Sequence, residues 1–301
     1  MSAIDRTMHG LLAPPRVLED ADRLAVRTLL VAGLSPLAEQ LPVGAQAVVS
    51  LPALRRMGTG ADPLLEEPFT WKPAYVRRSL GLAVVQACAT GHFRAPAQAV
   101  APVADAAVEE WSRTGWRTFH WEPWLAGLAP GARAVVLADA LTWATALWSA
   151  LDWGAMPGAT QIGGLDDQWV CPATRTLRLR ARSELRVPLS GSPGDAHPGG
   201  PSALVSVSSG CPGPGWSEEL AYLALVAGLR SPSRPVPSRV LGLWPDAGFR
   251  GFVEIDRPVL EGTVERVVAT AAGLVQARTT RPGPGGADVD AAAPPSSLAA
   301  A

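Results

Sequence analysis

The spacing of apolar residues divides this chain into a helical first half and a strand-rich second half. In residues 18–34 and again from Trp71 to Trp153, apolar positions recur every three or four residues, which predicts amphipathic helices packed on a core. From residue 161 on, the pattern changes to alternation with a period of two, which predicts strands. The predicted helices cover residues 18–34, the segment from Val76, 97–111, 132–153, 216–230 and 257–277, and the predicted strands cover 168–171, 176–182, 184–189, 203–208, 239–244 and 251–255.

These elements divide the chain into four segments. Residues 1–65 form an N-terminal segment, residues 66–160 a helical region and residues 161–278 a mixed α/β core. Residues 279–301 are rich in Pro, Gly, Ala and Ser and have almost no large apolar side chains. Such a segment buries too little apolar surface to offset the entropy of ordering, so we expect a disordered tail.

Composition limits the classes of function. The chain has 301 residues and a formal net charge of −1, so binding to nucleic acid would require a local arginine patch. Lys72 is its only lysine. The three cysteines and four histidines lack the spacing of a zinc or iron–sulfur site. We find no secretory signal and no apolar run of membrane-spanning length, and we expect a cytoplasmic protein that does not contact the membrane.

Three short motifs in the last third carry the candidate chemistry. The first contains Glu184 in ARSEL, the second contains Ser206 and Ser208 in SVSSG, and the third contains Glu218 and Tyr222 in EELAY. Their order resembles that of RecB-type nuclease domains, which have Gly-Arg-x-Asp, (Asp/Glu)-x-Lys-x-Gly and (Gln/Glu)-x-x-x-Tyr. The element order of one helix, three strands, a helix, two strands and a helix also resembles the wider PD-(D/E)XK, or restriction-endonuclease-like, family.

The resemblance implies a mixed sheet flanked by helices and, in active members, phosphodiester hydrolysis that depends on a metal. That chemistry uses carboxylates from adjacent strands to hold Mg²⁺ and a cation to orient water. Residues two apart on a strand point the same way, so Ser206 and Ser208 would face the same hollow as Glu184 without supplying charge. A lone carboxylate is a poor magnesium site, so we expect no catalytic residues and no cofactor.

Each candidate residue also has a simpler interpretation. Glu184 could be a surface acid paired with Arg182 or Arg239, and the serines could be small residues in a crowded strand. Glu218 lies in a first helical turn, where the helix dipole alone favours an acid. Tyr222 could be a core residue with its hydroxyl at the rim.

An alternating run of arginines is the remaining charged feature. Arg178, Arg180 and Arg182 share one face of a predicted strand. This pattern favours a solvated face, and a row of phosphate contacts is the second interpretation. The resemblance implies a catalytically inactive binding or scaffold subunit near DNA-processing machinery, with DNA and a helicase or an active nuclease as partners. The alternatives are a divergent Mg²⁺-dependent nuclease built on Glu184, Glu218 and an arginine, or a protein interaction module without a nucleic-acid role.

Overall fold

The computed structural model describes residues 2–62, 70–114, 121–158, 160–189, 200–230 and 235–280. Within these residues the chain forms a mixed six-stranded sheet between two layers of helices. The α/β class and the flanking helices are therefore as predicted. The tail from residue 281 onward lies outside the described residues, and residues 279 and 280, predicted to belong to it, end the last helix.

In the described part of the chain up to residue 148, helices dominate and one short strand lies among them. This strand, β1, covers Ala47–Val49 and forms where the sequence analysis assigned no strand. The helices are α1 (Ala3–Leu12), α2 (Asp20–Glu39), α3 (Leu51–Gly58), α4 (Pro73–Ala89), α5 (Pro96–Thr114), α6 (Trp121–Ala126) and α7 (Pro130–Trp148).

The second half supplies the rest of the sheet. Its strands are β2 (Gln161–Val170), β3 (Leu177–Pro188), β4 (Ser202–Val207), β5 (Arg239–Trp244) and β6 (Phe249–Glu254), with helices α8 (Trp216–Leu229) and α9 (Arg257–Thr280). Strands β2, β3 and β4 pair antiparallel in succession, and α8 then carries the chain to β5, which pairs parallel with β4. The predicted strand at residues 203–208 is thus β4, which lies between β3 and β5.

Helical layers pack against both faces of the sheet. On the α8 face, Leu179, Leu204 and Val240 pack against α2, α3, α8 and α9. On the α4 face, Leu185, Val205 and Leu241 pack against α1 and α4 to α7. Strands β4 and β5 alternate their side chains between the two cores.

Strand β3 is where this alternation is interrupted. It forms one continuous strand where the sequence predicted two. Leu179 and Ala181 belong to the core of the α8 face, but Leu185 and Val187 belong to that of the α4 face, although all four positions are odd. The side-chain phase therefore changes at residues 183–184. Opposite this point β2 has an irregular register between Ile162 and Leu165.

The candidate site at the gap beside strand β3

A gap in strand pairing brings several motif residues into one region. Strand β2 pairs with β3 over residues 178–186, so β1 and β4 must share the opposite edge of β3. There β1 pairs with residues 177–179 of β3, and β4 pairs with residues 185–188. Among the described residues, no strand pairs with this edge of β3 between Arg180 and Glu184. Both β1 and β4 end here, and ligands in α/β sheets bind where strands diverge at their carboxyl ends.

Glu184 closes the β4 end of this gap. Its side chain is only 2% exposed, and one carboxylate oxygen accepts the backbone N–H of Val207 at 2.7 Å. The other oxygen forms an ion pair with Arg78 of α4. Arg78 also donates to the carbonyl oxygen of Val207, from Nη2 at 2.9 Å and from Nε at 3.2 Å. Glu184 is therefore a buried, paired acid and not the surface acid of the simpler interpretation, and its partner is neither Arg182 nor Arg239.

The ion pair is a connection between the helical layer and the sheet. Arg78 reaches across from α4 to the last residue of β4 and to β3 at once. The adjacent residue, Arg77, pairs with Asp246 at 3.0 Å, and Asp246 accepts the N–H of Gly210 at 2.7 Å. Consecutive arginines of α4 thus hold the end of β4 and the loop that follows it.

The two serines of the second motif do not point where the sequence analysis expected. Ser206 is the register partner of Gly242, and their neighbours Leu204 and Val240 both lie in the core of the α8 face. Strand alternation therefore directs Ser206 to the α8 face, whereas Glu184 bonds to Arg78 on the α4 face. Ser208 lies one residue beyond β4, half-buried, and its N–H donates to the carbonyl oxygen of Leu243. The expected convergence of Ser206 with Glu184 on one hollow is wrong, because β3 changes phase beside it.

Tyr222 closes the β1 end of the same gap from the α8 face. Its side chain is fully buried, and its hydroxyl donates to the carbonyl oxygen of Val49 at 2.7 Å and accepts the N–H of Arg180 at 3.1 Å. Burial raises the pKa of this hydroxyl well above its ordinary value. Tyr222 therefore lies on the sheet side of its helix. Its hydroxyl is not at a rim, since it replaces strand pairing between β1 and β3.

Glu218 lies away from the gap. It is 41% exposed and pairs with Arg266 of α9 at 3.2 Å, on the α8 side of the sheet. The N-cap of α8 is Gly215, and the hydroxyl of Ser217 lies 3.3 Å from the Glu218 carboxylate. Glu184 and Glu218 thus have separate arginine partners on opposite sides of the sheet. Within the described residues, no group of three or more His, Cys, Asp or Glu side chains could hold a metal ion.

The three arginines of the alternating run share the α4 face of β3. Their odd-numbered neighbours Leu177 and Leu179 lie in the core of the α8 face. Arg182 is exposed, and Arg178 and Arg180 are half-buried. On β2 they face Val170, Gln168 and Asp166 as register partners.

The sequence alone does not identify Arg78 as the partner of Glu184. Arg78 lies 106 residues before Glu184 in a helix whose pattern indicates only packing. No short-range signal links the two positions.

Comparison with family models, with curated proteins and with solved structures gives no match to this chain. In the part of the chain that the structure describes, none of the helices is both long and apolar enough to span a bilayer.

Proposed function

We propose that this chain is a nuclease-fold protein without a working nuclease site, which acts as a binding or scaffold subunit beside DNA-processing machinery. The order of α7, the antiparallel β2–β3–β4 meander, α8 and the parallel strand β5 supports the resemblance to PD-(D/E)XK proteins. A helicase or an active nuclease would supply the chemistry, and this chain would supply binding.

The observation that carries the proposal is the state of the Glu184 carboxylate. One of its oxygens is taken by Arg78 and the other by the N–H of Val207. Mg²⁺ needs several oxygen ligands in near-octahedral geometry and gives up water reluctantly. A metal at Glu184 would have to displace a guanidinium and leave that cation beside it. The geometry therefore favours a structural role for this acid over hydrolysis.

The divergent-nuclease alternative has less support from the geometry. It requires Glu184 and Glu218 to act on one metal, and their arginine partners lie in helices on opposite sides of the sheet. Hydrolysis through this pair would need a rearrangement of β3 and α8 together.

A nuclease assay tests the proposal. The protein is incubated with single- and double-stranded DNA in Mg²⁺ and in Mn²⁺, alongside Glu184→Gln and a control, Glu110→Gln, that changes an exposed acid of α5. We expect no cleavage by any of the three. Cleavage that requires the metal, persists in Glu110→Gln and is lost in Glu184→Gln would overturn the proposal.

A further inference from the structure

The α4 face of β3 carries a row of cations, Arg178, Arg180 and Arg182, none of which pairs with Glu184. Arg178, Arg180 and Arg182 alternate along the strand, so their Cα atoms are about 6.8 Å apart in succession, twice the rise of a strand residue. This is close to the spacing of successive phosphates along an extended nucleic-acid strand. A straight row of this kind matches one backbone better than the two backbones of a duplex.

Few acids oppose this row. Among the register partners on β2 only Asp166 carries a charge, against three arginines. Within the described residues, the guanidinium groups of Arg180 and Arg182 form no ion pair or side-chain hydrogen bond. These two cations therefore do not contribute to the fold through pairing.

A glycine of β2 shapes the end of the row. A Cβ atom at Gly164 would collide with the guanidinium of Arg182, so this side chain lies directly against the β2 backbone. Resting on the backbone restricts a long side chain that would otherwise be free, which lowers the entropy lost on contact with a ligand. Beyond Arg182 the strand reaches Glu184, whose charge Arg78 already compensates.

We propose that Arg178, Arg180 and Arg182 bind the phosphate backbone of a single-stranded nucleic acid laid along β3. The inference rests on the proposed function in one respect: it says where on that subunit the nucleic acid binds. Contacts are to phosphates, so binding is independent of sequence and does not distinguish DNA from RNA. Counterion release sets its salt dependence. For three phosphate contacts the slope of log K against log salt is about −2.

Fluorescence anisotropy with labelled oligothymidine and oligouridine tests this proposal, in EDTA so that no hydrolysis contributes. We expect the wild type to lose roughly 20-fold in affinity between 50 and 200 mM salt, and Arg180→Gln/Arg182→Gln to lose only about threefold, with a slope near −0.7. The charge-matched control is Arg113→Gln/Arg266→Gln, which removes two exposed cations of α5 and α9. It should keep the wild-type slope. The β3 variant should also keep the wild-type melting temperature, because its two guanidinium groups make no pairs.

Three results would overturn the inference. They are no binding by the wild type at low salt, equal losses in the β3 variant and the control, or tighter binding of a duplex than of a single strand. None of these results bears on the proposed function. That proposal is overturned by metal-dependent cleavage, which cannot occur in EDTA.

Discussion

The two ends of the gap beside β3 are closed in different ways. At the β1 end, Tyr222 uses a neutral hydroxyl that reaches the backbone of both strands. At the β4 end, Glu184 uses a charge, and that charge requires Arg78 from another layer of the molecule. A neutral group needs only hydrogen-bond partners, whereas a buried carboxylate also needs a countercharge. The β4 end is therefore the more costly to disturb.

The largest expected effect comes from Arg78→Ala. The substitution leaves Glu184 buried without its countercharge, which costs about 3 kcal/mol of the free energy of unfolding. Urea unfolding measures this. Arg77→Ala is the matched control on the same helix, since its pair with Asp246 is partly exposed, and it should cost about 1 kcal/mol or less.

A double-mutant cycle sharpens this prediction. Combining Arg78→Met with Glu184→Met should recover much of the lost stability, because neither charge is left unpaired. If the double variant instead loses as much free energy of unfolding as the two single variants together, Arg78 and Glu184 do not depend on each other.

Tyr222→Phe is expected to have a smaller effect. The ring stays in the core, but the Val49 carbonyl and the Arg180 N–H lose their partner, which costs about 1–2 kcal/mol. Thermal or urea unfolding measures it. Tyr75→Phe is the control at the chain's other tyrosine, which is 46% exposed, and should change stability by about 0.5 kcal/mol or less. Equal losses in the two variants would mean that the Tyr222 hydroxyl does not hold the strands.

Alkaline pH tests the same hydroxyl. Burial raises the pKa of Tyr222 in the folded state, so only the unfolded state releases this proton above about pH 10. Stability from this group is complete below pH 10 and falls by about 1.4 kcal/mol per pH unit above it. The wild type should therefore exceed Tyr222→Phe in free energy of unfolding by less and less above pH 10, and the order of the two proteins should reverse near pH 11. A constant difference from pH 8 to pH 11 would contradict the burial of a neutral hydroxyl.

The sequence predicted those parts of the fold that depend on local pattern. Strand β5 begins and ends at the predicted residues, and β4 is recognisable as a buried run between turn signals. It did not predict β1, because three residues are too few to show a period. Nor did it predict the phase change in β3, which depends on the irregular partner β2 and on the end of β4. The bonds of Tyr222 to Val49 and Arg180 could not be predicted from helix spacing, because both partners lie far from it in the chain.

The candidate site was harder to predict than the fold. Two residues of the motifs, Glu184 and Tyr222, border the gap, but the sequence predicted neither the gap itself nor the direction of Ser206 nor the partner of Glu184. Both depend on contacts between residues far apart in the chain.

Calorimetric melting of the wild type with increasing Mn²⁺, in parallel with Glu184→Gln, tests the central claim most directly. If the Glu184 carboxylate is committed to Arg78 and Val207, the melting temperature of the wild type should show no saturable dependence on Mn²⁺, and the variant should behave the same way. A ligand that binds only the native state stabilises it in proportion to RT ln(1 + [L]/Kd). A saturable rise in the wild type that Glu184→Gln abolishes would show a working metal site and contradict the account.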